Sequence, residues 1–111
     1  MSYYIACKTA LPFEAALARV RETLAAEGFG VLTEIDVSAT LKTKIGAEFR
    51  PYRILGACNP TLAHRALQTE PHIGTMLPCN VIVQEMPGGG VEVAAINPVE
   101  SMRSVGSTAL A

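Results

Sequence analysis

Five segments of the chain have the mix of branched, aromatic and alternating apolar residues that predicts β-strands. They cover residues 3–8, 29–36, 52–58, 79–86 and 91–96. The last two are separated by a run of three glycines, Gly88 to Gly90, so we expect them to form a β-hairpin.

The stretch after Pro12 predicts the first main helix. Proline fits the first turn of a helix, where its missing N–H has no partner in any case. Apolar residues then recur at three- and four-residue intervals until Gly28, where the pattern stops. The positions on this apolar stripe are Phe13, Leu17, Val20 and Leu24.

A second main helix is predicted from Asn59-Pro60 to about Glu70. The asparagine side chain can cap the free N–H groups of the first turn, and the proline presets its backbone angle. Pro71 ends the helix. One side of it is apolar, formed by Leu62, Ala63, Ala66 and Leu67.

Two shorter helices complete the prediction. Leu41 and Ile45 lie one turn apart before Gly46, which is a typical helix stop. Asn97-Pro98 followed by Glu100 resembles a capped helix start, with Val99 and Met102 facing inward. Residues 71–78 are expected to form a loop. Residues 1–105 then form a single α+β domain, and residues 106–111 form a frayed tail.

Composition limits the classes of function. A chain of 111 residues, half of them hydrophobic, has one core and is not disordered. A net charge of −1 and the lack of tryptophan argue against a nucleic-acid partner. No segment has the features of a signal peptide or is apolar enough to span a membrane. The expected location is therefore the cytosol, with no membrane partner.

The three cysteines are expected to be reduced thiols. Cys58 ends a strand directly before the Asn59-Pro60 helix start, where the helix dipole favours a thiolate, so we predict it to be the most reactive of the three. The alternative is a small thiol that fills a gap in the core. Cys7 lies in the middle of a strand and is expected to be a core residue.

Cys79 and Asn80 begin the hairpin and lie near Cys58 if the two strands are neighbours. His72, in the predicted loop, is the better histidine candidate, because His64 falls on the polar side of its helix. A cluster of Cys58, Cys79 and His72 would suit a soft metal such as Cu(I) or a nucleophilic thiol. The cysteine spacing excludes a compact C-x-x-C metal site, and the sequence identifies no cofactor.

The other candidate motifs have simpler explanations. The glycine run lies between two strands and is not followed by Lys-Ser or Lys-Thr, so it is not a phosphate loop. Arg50, Tyr52 and Arg53 are expected to form a solvated edge, although they could contact an anion. The sequence contains no Ser-His-Asp order, carboxylate pair or H-E-x-x-H motif.

Several blocks of the sequence resemble the domain-of-unknown-function-302 family. The most specific are residues 52–60, which contain Cys-Asn-Pro, and residues 77–81, which contain Leu-Pro-Cys. Ile73-Gly74, the Pro12-Phe13-Glu14 helix start and residues 36–46 fit as well. The resemblance extends through about residue 98.

This resemblance implies an α+β fold of the TATA-binding-protein-like type. Such a fold has a curved, mostly antiparallel sheet of about five strands with two main helices on one face, and the family members are usually dimers. No agreed activity comes with the family. The DNA binding of the fold's namesake is not carried over, because this chain is not basic.

Three hypotheses for function follow. The first is a small, non-enzymatic homodimer that binds a small molecule or a protein partner near Cys58, Asn59 and Pro60 and near Cys79 and Asn80, with the surplus of apolar residues favouring a dimer. The second is a thiol-dependent redox, sulfur-transfer or soft-metal protein that uses Cys58 with Cys79. The third is an assembly scaffold without a ligand.

Overall fold

The computed structural model describes residues 2–97. Five strands, three α-helices and one 3₁₀-helix follow one another in this range. In chain order they are β1 (Tyr4–Thr9), α1 (Phe13–Ala26), β2 (Gly30–Asp36), α2 (Val37–Ile45), β3 (Tyr52–Cys58), α3 (Pro60–Thr69), the 3₁₀-helix (Pro71–Met76), β4 (Cys79–Glu85) and β5 (Val91–Ile96).

The five strands form one open sheet in the order β1-β5-β4-β3-β2, and every neighbouring pair is antiparallel. The predicted class is confirmed: the protein is a single small α+β domain with helices packed against a five-stranded antiparallel sheet. All five predicted strands are present, with ends that differ by at most one residue.

The core lies between α1 and the middle of the sheet. Leu17 and Ala16 on α1 are buried against β3 and β4, where Leu55 and Val83 are fully enclosed and Val81 lies beside them. Phe13, Val20 and Leu24 pack against the same cluster. The apolar stripe predicted for α1 is therefore the face that the helix buries.

The helix ends follow the capping residues in the sequence. The Asn59 side chain accepts a hydrogen bond from the Leu62 N–H at 3.1 Å, and Pro60 opens α3. Gly46 ends α2 in the left-handed conformation, with φ +67°. Asp36 caps the start of α2 by accepting a hydrogen bond from the Ala39 N–H at 3.0 Å, and this bond contributes most to a lowered pKa of the Asp36 carboxyl.

The segment predicted as a loop at residues 71–78 is largely helical. Pro71–Met76 form a 3₁₀-helix, and Ile73 within it is almost fully buried. Pro71 favours a tight turn, and the buried isoleucine holds that turn against the protein body. The prediction of a loop was wrong. Turn-forming residues dominate this segment, and Ile73 alone indicates that it packs against the rest of the domain.

The apolar side of α3 is only partly covered. Ala63 and Ala66 are half-buried, whereas Leu62 is 52% exposed and Leu67 is 42% exposed. The helix therefore does not lie flat on the sheet as α1 does, and a space remains beneath it.

Two further predictions concern residues beyond this range. The terminal helix with Val99 and Met102 and the tail at 106–111 lie outside the described residues. Within the described part of the chain, no helix is both long enough and apolar enough to cross a membrane.

Candidate functional site

An apolar groove runs between α1 and α3 above the sheet, and we call it the α1–α3 groove. Its cavity volume is about 420 Å³. The walls are formed by Leu24, Phe29, Leu62, Ala63, Ala66 and Leu77. Its floor includes two cross-strand pairs, Ala57 with Cys79 and Val81 with Ala95. The alanines of α3 and those of the floor have small side chains, which leave this space open.

The predicted site residues meet at one end of this groove. Cys58, Asn59, Cys79 and Asn80 all line it. Cys79 lies opposite Ala57 in the β3–β4 ladder, and Cys58 is the next residue along β3, close enough to affect the Cys79 thiol electrostatically. Both thiols are free and partly buried.

Asparagine side chains are the main polar groups in the groove lining. Asn59 already uses its side-chain oxygen to cap α3. Asn80 is exposed and lies opposite Gly56, at the point where the groove meets the other side of the sheet. Pro60 is exposed and begins α3, so its role is to set the helix rather than to line the groove.

The environment of Cys79 disfavours a thiolate. Burial raises the pKa of the Cys79 thiol, and the neighbouring Cys58 raises it further. A raised pKa leaves Cys79 in its neutral form near neutral pH, where a thiol behaves as a small apolar group. Cys79 therefore suits the floor of an apolar groove better than it suits metal binding.

The predicted cluster of Cys58, Cys79 and His72 is not formed. The His72 side chain is 93% exposed, and its Nδ1 lies 3.1 Å from Glu70 Oε1. The His72 N–H also donates to that carboxylate at 2.9 Å, and these two contacts lower the pKa of Glu70. The start of the 3₁₀-helix turns His72 outward. Among residues 2–97, no three His, Cys, Asp or Glu side chains are placed to hold a metal ion. His64 is exposed, as predicted.

Cys7 is exposed rather than part of the core, so that prediction was wrong. Its strand, β1, is an edge of the sheet. The main contacts of α1 with the sheet are to β2, β4 and β5, so a central position in the edge strand β1 does not imply burial.

The arginines predicted to form a solvated edge are held by specific contacts. Arg53 forms ion pairs with Glu34 and Asp36. Arg50 donates to Gln84 Oε1 from Nε at 2.9 Å and from Nη2 at 2.7 Å. Its guanidinium carbon also lies 4.4 Å from the centroid of the Phe49 ring. Neither arginine is therefore a free anion ligand.

A second concavity lies on the other side of the sheet. It has a volume of about 380 Å³ and includes Tyr3, Tyr4, Tyr52 and Ile82. The buried Gln84 at its edge is satisfied, because its Nε2 donates to Glu92 Oε1 at 2.9 Å while its Oε1 accepts from Arg50. This face is more polar and its hydrogen bonds are internal, so we regard the α1–α3 groove as the better candidate site.

The sequence pattern predicts one end of the groove but not its walls. The pattern predicts Leu24 and Phe29 to be ordinary helix and strand residues and Leu77 to lie in a loop. The available signal was the pair Ala63 and Ala66, whose small side chains on the inner side of α3 cannot fill the space above the sheet.

Comparison with known proteins gives a family and a related structure. The model of the family described as "Domain of unknown function DUF302" matches residues 5–111. The crystal structure of an uncharacterized conserved DUF302 protein from Bacillus stearothermophilus superposes with a TM-score of 0.90 at 29% sequence identity. The alignment covers 99% of this chain and 85% of that one. No curated protein matches the sequence.

Proposed function

Since this chain belongs to the DUF302 family, for which no activity is defined, we propose a function from its own geometry: a non-enzymatic module that binds a small apolar molecule in the α1–α3 groove. The observation that carries this proposal is the groove itself. Its volume of about 420 Å³ lies within the usual range of small-molecule sites, and its walls are almost entirely apolar.

The lining also indicates the charge of the ligand. Among residues 2–97, the groove lining consists of aliphatic and aromatic carbon, two thiols and two carboxamides, with no Lys, Arg, Asp or Glu. Moving an ionised group from water into such surroundings is costly without a partner charge. The proposed ligand is therefore neutral, with an apolar body and at most a small polar end near Asn80.

The first prediction fills the groove. Ala63 is half-buried on the inner side of α3, so Ala63→Phe places a ring in the cavity. We expect the wild-type protein to bind the neutral fluorophore N-phenyl-1-naphthylamine saturably, and Ala63→Phe to weaken this binding about tenfold or more. The measurement is a fluorescence titration.

A matched control tests the location of the probe. Ala18→Phe adds the same ring to an exposed position of α1 that does not line the groove. We expect wild-type affinity for this variant and unchanged helical circular dichroism for both. Equal affinity of Ala63→Phe and Ala18→Phe for the probe would contradict the groove as the binding site.

A second candidate function is thiol chemistry at Cys58. Two observations favour it: Cys58 shares the groove with Cys79, and it directly precedes the capped start of α3. Nucleophilic cysteines are often found beside the N-terminus of a helix. The raised pKa of Cys79 limits the candidate to a mechanism in which Cys58 alone attacks.

Iodoacetamide labelling at neutral pH tests this candidate. If Cys58 is an activated thiol, we expect it to react faster than Cys7, although Cys7 is the more exposed. Cys79 should react slowest, because burial both shields it and raises its pKa. The rates are read by peptide mass spectrometry, and urea-unfolded protein supplies the reference in which the three thiols have similar access. Faster labelling of Cys7 than of Cys58 rejects the thiol function and leaves apolar binding.

Two general features complete the proposal. Three unpaired thiols are typical of proteins in a reducing compartment, which supports the cytosol as the place of action.

The exposed apolar side chains, among them Tyr3, Ile5 and Leu32, support a homodimer, in which a second copy would cover part of this surface.

A further inference from the structure

Another apolar cavity adjoins the α1–α3 groove, and we call it the α1–β1 cavity. Its volume is about 320 Å³. It lies between one side of α1 and the first strand, and its lining includes Cys7, Leu11, Ala16, Val20 and Val93. Leu24, Val81 and Ala95 line both cavities, so the two spaces meet above β4 and β5.

Together the two cavities follow β5 for most of its length. The α1–β1 cavity reaches Thr9, which pairs with Val91 at the start of β5. The α1–α3 groove reaches Ile96 at the end of that strand. At about 3.4 Å per residue, the strand between these positions is roughly 17 Å long. This length and the apolar lining suit an extended aliphatic chain better than a compact molecule.

The α1–β1 cavity differs from the groove in having a charge. Within the described residues, Arg19 of α1 is the one charged residue of its lining. In the same part of the chain, the Arg19 guanidinium makes no ion pair and no hydrogen bond. Arg21, two positions further along α1, is paired with Glu34 of β2. The two arginines thus lie on different sides of the helix, and Arg19 is available to a ligand of the cavity.

Two threonine hydroxyls lie in the same lining. Thr23, one turn from Arg19, donates its hydroxyl to the Arg19 carbonyl oxygen at 2.8 Å. Thr9 Oγ1 accepts from the Leu11 N–H at 3.2 Å, and within residues 2–97 this hydroxyl donates to no other group. A guanidinium pairs with a carboxylate through two parallel hydrogen bonds. One cation and one available hydroxyl donor complement a single negative charge, so a carboxylate suits them better than a dianionic phosphate.

We propose that the two cavities together bind a free fatty acid of medium chain length, with its carboxylate at Arg19 and Thr9 and its tail in the α1–α3 groove. This inference rests on the proposed function, because the tail occupies the groove assigned there. The argument for a neutral ligand applies to the α1–α3 groove, whose described lining has no cation. The adjoining cavity supplies one, so a ligand that is neutral inside the groove carries its charge outside it.

The dependence of affinity on chain length tests the position of the tail. Dodecanoate and hexanoate are titrated by isothermal titration calorimetry, below the concentrations at which they aggregate. A fully buried CH₂ group raises affinity about fourfold, so we expect dodecanoate to bind about a hundredfold or more tightly than hexanoate. Ala63→Phe should reduce this difference, because its ring takes the place of the tail in the groove.

A charge substitution tests the position of the carboxylate. Arg19→Met removes the guanidinium and keeps a long side chain with similar helix propensity. Hydrogen bonds to charged groups are among the stronger ones, so we expect the affinity for dodecanoate to fall about tenfold or more. The affinity for dodecanol, a neutral chain of the same length, should not change, and its binding also reports that the variant is folded.

Arg65→Met is the matched control for Arg19→Met. It makes the same change at an exposed position of α3 that lines neither cavity. We expect this variant to bind dodecanoate and dodecanol with wild-type affinity.

The outcomes separate this inference from the proposed function. Saturable binding of N-phenyl-1-naphthylamine without binding of dodecanoate overturns the fatty-acid ligand and leaves the apolar groove as a site. Equal dodecanoate affinities of Arg19→Met and Arg65→Met overturn the carboxylate position. Equal affinities of the wild type for hexanoate and dodecanoate overturn the position of the tail. A protein that binds neither the probe nor dodecanoate overturns both proposals.

Discussion

Replacing Leu17 with aspartate is expected to leave the protein unfolded at 25 °C. Leu17 lies at the centre of the α1 stripe, 5% exposed, in the same cluster as Leu55 and Val83. Loss of a buried leucine side chain costs about 2–5 kcal/mol, and an unpaired buried carboxylate adds several more. Domains of this kind have a free energy of unfolding of about 5–15 kcal/mol, so the sum removes most of the stability.

The measurement is a thermal melt followed by circular dichroism at 222 nm, with proton NMR dispersion as a second readout. Ala18→Asp is the control, since it adds the same charge at the next, exposed position of α1. It should cost about 0.5 kcal/mol through lower helix propensity. A cooperative melt of Leu17→Asp near the wild-type temperature would show that α1 does not pack by this face.

Gly56→Ala is expected to lower the melting temperature by about 5–15 °C. Gly56 is buried in the middle of β3, and an added Cβ would lie 2.6 Å from Cγ of Pro78 and in collision with the Thr33 hydroxyl. The threonine can rotate, but the proline ring is rigid and follows the 3₁₀-helix anchored by Ile73. Overpacking of this kind costs about 1–3 kcal/mol, which gives the predicted shift for a domain of this size.

Gly30→Ala is the matched control for Gly56→Ala. It makes the same chemical change in the neighbouring strand β2, where an added Cβ meets nothing within 4 Å. Replacing this glycine should leave the melting temperature unchanged or raise it slightly, because alanine reduces the conformational freedom of the unfolded chain. Equal melting temperatures for the two variants would mean that the Pro78 ring does not cover Gly56.

Local signals in the sequence were sufficient for the elements and their caps. Asn59, Pro60 and Gly46 act through their own backbone or through neighbours within one turn, and each lies where the pattern placed it. The stripe on α1 was equally readable, because a helix that buries one face shows its period in the sequence. These features depend on few residues and short distances.

Features that depend on tertiary placement were less predictable. Cys7 has the sequence context of a core residue, but its strand is an edge of the sheet, away from the main contacts of α1, and it is exposed. His72 is near Cys79 in sequence, but the turn at Pro71 directs it to solvent. The groove depends on the distance between α1 and α3, which no local pattern encodes. Conversely, the proximity of Cys58 to Cys79 was predictable, because consecutive strands usually pair.

The sheet order also has a consequence for synthesis on the ribosome. Strands β2, β3 and β4 each pair with the next strand along the chain, so these ladders can form as the chain emerges. Strand β1 emerges before all of them, yet its neighbour in the sheet is β5. At translation rates of about 5–20 residues per second, β1 waits on the order of 5 to 20 s before that neighbour exists. During this interval Tyr4 and Ile5 are accessible to chaperones, and the nascent sheet is completed only by the pairing of the first strand with the last.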